Sequence, residues 1–206
     1  MTPLRLVLLG DSIAYGQGAR RVEDTLGRRL ALALTAEGFD VDLHVVAVPR
    51  AASAQLAAQV RTVEALAPDL AVVVVGANDL TRFVPAPEAA ADLGTAVTAL
   101  RSLGTDVVVV PAPDMSSVPF VPPAFRPVVQ AACAMLQEHQ ARVASAAGAR
   151  IAAIGDVIGT AFSDDPTLFS RDRFHPSSEG YARIAEALTP HVIEVAVRRR
   201  DGDAAA

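Results

Sequence analysis

The stretch Leu4-Arg5-Leu6-Val7-Leu8-Leu9-Gly10-Asp11-Ser12-Ile13-Ala14-Tyr15-Gly16 reads as a buried strand that stops at a glycine and then presents a serine. Its apolar run is short, rich in Leu and Val, and bounded by a breaker, the pattern of a strand covered on both faces. Gly10 permits a sharp turn where the strand ends. Asp11 and Ser12 can then accept hydrogen bonds from the start of the next segment. Open α/β sheets build their sites at the carboxyl ends of their strands. Ser12 therefore has two readings: a turn or cap serine, or a nucleophile that needs a base and oxyanion donors from elsewhere in the chain.

Working outward, further strands are predicted over Val41–Val48, Leu70–Val75, Asp106–Val110 and Arg150–Ile154. Helical spacing predicts helices over Glu23–Glu37, Ala54–Leu66 with Ser53 as N-cap, Glu88–Leu103, Val128–Ala147 and Glu179–Val197. Between Pro111 and Pro127 lie six prolines, too many for a regular element. This segment reads either as a substrate-contacting loop over the sheet's carboxyl edge or as a plain surface crossover. Gly155–Arg173 reads as irregular or a short helix. Strand–helix alternation with crossovers of this length demands a parallel sheet covered by helices on both faces. With 206 residues and no visible linker or repeat, one three-layer domain over residues 1–200 is the economical reading, with 201–206 a disordered tail.

Composition excludes several functions. Half of the residues are apolar, enough for a sizeable core, but tryptophan is absent and aromatics make up only 4%. That argues against an aromatic platform for single-stranded nucleic acid. A net charge of −5 offers a phosphate backbone no attraction, so no nucleic-acid partner is expected. All eighteen basic residues are arginine, which removes a P-loop and any Schiff-base chemistry. The run Arg198-Arg199-Arg200 reads as a helix end. Cys133 is the single cysteine, so nothing demands an oxidising compartment. No signal peptide or apolar run long enough to span a bilayer is seen, so the expectation is a cytoplasmic chain without stable membrane insertion.

Three strand ends carry chemistry. The first gives Gly10-Asp11-Ser12 and the third gives Gly76-Ala77-Asn78-Asp79, while Asp172-Arg173-Phe174-His175-Pro176 precedes the last helix. In a parallel sheet all three reach the same edge. A carboxylate three residues before a histidine can turn back onto the ring and leave the other nitrogen free as a base; the alternative is a capping aspartate beside a surface histidine. Asn78 can donate to a developing oxyanion or make an ordinary Asx turn, and Asp79 reads as structural. His44, His139 and His191 have no such partner, and no histidines have metal-ligand spacing. Gly16-Gln17-Gly18 lacks the third glycine of a dinucleotide fingerprint, and Ser12 is not in a Gly-x-Ser-x-Gly elbow.

Together, and in this order, the three motifs resemble the SGNH (GDSL) hydrolase family across nearly the whole chain. The resemblance implies a flavodoxin-like α/β/α fold with a five-stranded parallel sheet of order 2-1-3-4-5. It implies a serine esterase with no metal or cofactor, acting on a small-molecule ester. Ser12 would be the nucleophile, His175 the base and Asp172 its orienting acid. The oxyanion hole would be made by Ser12, Arg50 and Asn78. Activity would fall at acid pH as His175 protonates. One block departs: Arg50 occupies a slot where the family places glycine. Three accounts compete. The backbone there is ordinary, or the guanidinium enters the site, or the hole is weakened. Short acyl or O-acetyl esters are the favoured substrates because the sequence shows no long apolar gorge. A lysophospholipase, a thioesterase, an acyltransferase and a non-catalytic binding protein are the alternatives.

Overall fold

The computed structural model describes residues 3–204. Five strands build the sheet: β1 (Leu4–Gly10), β2 (Val41–Val45), β3 (Leu70–Val74), β4 (Asp106–Val110) and β5 (Arg150–Ile151). All pairings are parallel, in the order β2-β1-β3-β4-β5. The register sets Leu8 opposite both Val45 and Val72, and Gly10 opposite Val74, so β1 and β3 end level.

Strand alternation divides the core in two. Leu6, Leu8, Val72, Val74 and Val108 face one way. Val7, Leu9, Ala71, Val73 and Val109 face the other. The first face is covered by α2 (Leu26–Ala36) and α8 (Ser178–Ala204), through Leu26, Leu30, Leu34, Tyr181 and Leu188. The second is covered by α3 (Leu56–Val63) and α5 (Ala86–Ser102), through Leu56, Val60, Leu93 and Val97. The long α6 (Arg126–Ala146) packs against α5 and the edge strand β5. Leu26, Leu30 and Leu34 recur at four-residue spacing, which is why that segment is an amphipathic helix. Truncating a fully buried leucine such as Leu8 to alanine removes about 2–5 kcal/mol.

Several boundaries differ from the sequence reading. The second strand ends at Val45, although Val46 and Val48 still donate to Leu8 and Gly10 carbonyls at 3.0 and 3.1 Å. The fifth strand is only two residues long. After Ala152 donates to Val109, the chain turns into α7 (Gly155–Asp164), so of the two readings of Gly155–Arg173, irregular or a short helix, the helix holds for its first part. Ser53 does not cap α3, because its N–H and hydroxyl both go to Asp79. The last helix runs on through Ala204, past the start of the expected tail. Arg199 anchors it to Asp69 and Asp106 at the amino edge of the sheet, and residues 205 and 206 lie outside the described residues. Among the described residues, no helix is long and apolar enough to cross a membrane.

Candidate active site

Ser12 opens the short α1 (Ser12–Tyr15) directly after β1. Gly10 has φ +130°, and a Cβ there would lie 1.8 Å from the Val74 carbonyl oxygen, so the turn admits no side chain. Asp11 caps α1 by accepting from the Ile13 N–H at 2.9 Å. Its Oδ2 is buried, and no described group reaches hydrogen-bond geometry with it. Burial pushes the Asp11 carboxyl up to about 7; nearby Asp79 adds to the rise, and the Ile13 N–H pulls the other way. The Ser12 side chain is held at the floor of the edge, with the residue only 3% exposed.

The turn before α8 supplies the imidazole and the carboxylate. Asp172 Oδ1 accepts from the Phe174 and His175 N–H groups, each at 2.9 Å, and from the Ser170 hydroxyl at 2.8 Å. Its Oδ2 lies 2.6 Å from His175 Nδ1. A carboxylate at Nδ1 assigns the proton to that nitrogen and leaves Nε2 as an acceptor. Nε2 lies 3.0 Å from Ser12 Oγ. Partial burial pulls the Asp172 carboxyl upward. The His175 ring, the two backbone N–H groups and the Ser170 hydroxyl outweigh it and hold the carboxyl well below the usual carboxylate range. The hydroxyl, ring and carboxylate thus stand in line, which is the geometry for moving a proton off Ser12.

The chain after β2, whose Val48 N–H donates to the Gly10 carbonyl at 3.1 Å, is stitched to the segment after β3, where the short α4 (Ala77–Thr81) carries Asn78 and Asp79. Asn78 Nδ2 donates to the Ala51 carbonyl at 3.0 Å, and an Arg82 guanidinium nitrogen donates to the Arg50 carbonyl at 2.7 Å. Asp79 accepts from the Ser53 N–H at 3.1 Å and from its hydroxyl at 3.1 Å. Burial raises the Asp79 carboxyl, against these two donors. Arg50 has φ +68°, so its backbone is not ordinary and the first account of the missing glycine fails. Its side chain is exposed and is not among the residues that line the cavity beside Ser12. The arginine costs about 1 kcal/mol in this left-handed conformation, and the contacts at its own carbonyl and at Ala51 hold it there. Among the described residues, neither the Ser12 N–H nor the Arg50 N–H has an acceptor.

From Ser12 and His175 a cavity of about 390 Å³ runs along the sheet edge past Val74, Val110 and Ile151. Its lining is mostly apolar. The expectation of short acyl chains rested on there being no such gorge, and the cavity removes that basis. The proline-rich segment contributes Pro111 to Met115, Ser117 and Val118 to its wall, so it does contact the site. Phe120 stacks on Phe174, whose ring meets the His175 ring edge-on at 4.9 Å. Among the described residues, no three His, Cys, Asp or Glu side chains gather as a metal site.

Three supporting residues escaped the sequence reading. Buried Gln59 accepts from the Gly10 N–H at 2.7 Å and donates to the Gly10 carbonyl at 2.8 Å, clamping the strand end. Gln140 bridges the Ala112 N–H and the Val75 carbonyl in the same way at the ends of β4 and β3. Tyr181 is fully buried on α8, and its hydroxyl donates to the Gln17 carbonyl at 2.8 Å, propping the turn after Ser12. The only signal was a polar or aromatic side chain on the apolar face of a helix.

A five-stranded parallel sheet in this order, with a hydroxyl, an imidazole and a carboxylate in line over its carboxyl edge, is the frame of a GDSL-type α/β/α fold. The chain belongs to the GDSL-like lipase/acylhydrolase family, whose model matches residues 8–183. It is 32% identical over 189 residues to the GDSL-like esterase Rv1075c of Mycobacterium tuberculosis, covering 90% of this chain and 60% of that protein's length. Its fold is similar to that of TesA, with a TM-score of 0.74 at 20% identity over 93% of this chain and 99% of that one. It is also similar to that of the psychrotrophic esterase EstA from Pseudoalteromonas sp., with a TM-score of 0.70 at 17% identity over 93% and 97%.

Proposed function

We propose that the chain hydrolyses carboxylic esters through an acyl-enzyme on Ser12. The observation that carries this reading is the unbroken hydrogen-bonded line from Ser12 Oγ to His175 at 3.0 Å and on to Asp172 at 2.6 Å. Membership of an acylhydrolase family and a relative named as an esterase support it. Ser12 Oγ attacks the ester carbonyl carbon while its proton passes to His175 Nε2. Asp172 fixes the ring tautomer and stabilises the imidazolium that forms. The oxyanion is met by the Ser12 and Arg50 N–H groups, which have no other acceptor among the described residues, and by the Asn78 amide. The intermediate collapses by breaking the bond to the alkoxy oxygen, which takes the proton from His175. Water then attacks the acyl carbon, gives its proton to His175, and Ser12 is restored as the acid leaves.

The test is hydrolysis of p-nitrophenyl butyrate by the native chain beside Ser12→Ala and His175→Ala. Each variant is expected to lose about 10⁵–10⁶ in kcat while keeping its circular dichroism spectrum. A native chain no faster than either folded variant overturns the reading.

A further inference from the structure

The cavity that starts at Ser12 has a length and a wall that sequence patterning did not show. The nucleophile follows β1, and Val74, Val110 and Ile151 line the cavity from β3, β4 and β5, the next three strands in the sheet. At about 4.8 Å per strand spacing, it crosses about 14 Å of sheet edge. A volume of about 390 Å³ corresponds to about a dozen water-sized units of about 30 Å³, and a methylene is of that size. Its far half lies between α6 and α7, where the small residues Ala134, Ala141, Gly155 and Gly159 lie among larger ones such as Gln137 and Phe162. The small residues leave room that a larger side chain would take. A Cβ at Gly159 would meet Asp114 Cβ at 3.7 Å, an ordinary contact, so larger side chains at this position would take up slot volume.

Resting on the ester-hydrolase reading for what is bound, we propose that this slot holds a saturated acyl chain of medium length, about eight to twelve carbons. We propose further that Gly159 of α7 and Ala141 of α6 set the upper limit of chain length. The acyl arm is the one assigned because it stays on Ser12 through the second half of the reaction, while the alcohol must leave past His175 at the mouth. Of the proposed oxyanion donors, Arg50 follows β2 on the far side of β1 from the slot, Asn78 follows β3, and the slot leads on towards β5. The acidic side chains lining it are Asp114, Glu138 and Asp156, so an acyl chain that carries a second carboxylate at its far end is repelled.

The experiment is a kcat/KM series over p-nitrophenyl acetate to dodecanoate, beside alkyl acetates of rising alcohol length. The acyl series is expected to climb about two- to fourfold per methylene up to about ten carbons. The alkyl acetates are expected to stay flat. Gly159→Leu and Ala141→Leu, from opposite walls, are each expected to lower the decanoate-to-butyrate ratio about tenfold. Gly159→Leu also puts a better helix former into α7, which protects its folding. An acyl series that falls beyond butyrate, an alkyl series that climbs instead, or a ratio unmoved by both variants overturns the proposal. Calorimetric titration of the native chain with decanoate and butyrate keeps the two readings apart. A chain that binds decanoate at least tenfold tighter but hydrolyses no ester loses the hydrolase reading and keeps the slot. A chain that hydrolyses esters but binds the two acids equally loses the slot.

Discussion

The turn that carries Asp172 and His175 and the loop that carries Arg50 serve one site but differ in how far their side-chain ties reach. In the first, one carboxylate accepts from Ser170, Phe174 and His175, all within three residues of itself. The turn is organised by its own sequence. In the second, the ties come from Asn78, Asp79 and Arg82, between 26 and 32 residues away. A local turn, in which the Ala51 N–H donates to the Val48 carbonyl at 3.0 Å, sets Arg50 after Pro49 at the position where φ turns positive, and the segment after β3 ties down the carbonyls of Arg50 and Ala51. A self-organised turn can be recognised by its residues. The outside ties of the second can be recognised only from its neighbours, and both segments hold an arginine in the left-handed region, Arg50 at φ +68° and Arg173 at φ +57°.

The largest effect expected of this contrast is at Asp172. Asp172→Asn keeps an acceptor for the two N–H groups but presents an amide to Nδ1, so the ring takes the wrong tautomer. A fall of about 10³–10⁴ in kcat with little change in KM is expected from steady-state kinetics. A loss below tenfold would break the claim that this turn orients the base.

Next is Asp79, the anchor of the borrowed loop. Asp79→Ala strands the buried Ser53 N–H and hydroxyl. Urea denaturation should show a loss of about 2–4 kcal/mol, with kcat lowered as the Arg50 N–H drifts. Unchanged stability would mean that the loop holds itself and the contrast is false.

Asp11→Asn follows. The folded-state carboxyl titrates at about 7, above its unfolded value of 3.8, so the native chain holds the extra proton between about pH 4 and 7. Stability from this group is present below that window and falls as pH rises through it. The asparagine variant should flatten the slope of unfolding free energy between pH 4 and 8, gaining about 1–3 kcal/mol at the upper end relative to the lower. Parallel pH profiles for the two proteins would rule out a protonated Asp11.

The smallest effect is at Arg50. Arg50→Gly removes the left-handed strain and should raise the denaturation free energy by about 1 kcal/mol or somewhat less, since glycine also loosens the unfolded chain. A drop instead would show that the outside ties make arginine the better residue there.

Much of the frame was legible. Runs such as Leu70–Val75 are apolar without interruption because both faces are covered, and strand–helix alternation leaves little choice but a parallel sheet. Gly10-Asp11-Ser12 and Asp172 to His175 could be read because each motif contains its own turn chemistry. The fifth strand was overdrawn, since Ala152 makes one more ladder bond before the chain turns away, and residue composition does not mark that exit. The final helix was cut short because its anchor, Arg199, finds Asp69 and Asp106 only in three dimensions.

By itself the sequence determined the layered fold, the strand end that presents Ser12, and the aspartate-to-histidine turn, because periodicity and turn residues act over a few positions. Only the tertiary structure decided that His175 meets Ser12 across 163 residues of chain. It also decided that Arg50 takes a glycine's conformation, that Gln59 and Gln140 clamp the strand ends, and that small residues on α6 and α7 leave a slot between them. Those outcomes depend on which distant surfaces are brought to within a few ångströms, and no local pattern carries that information.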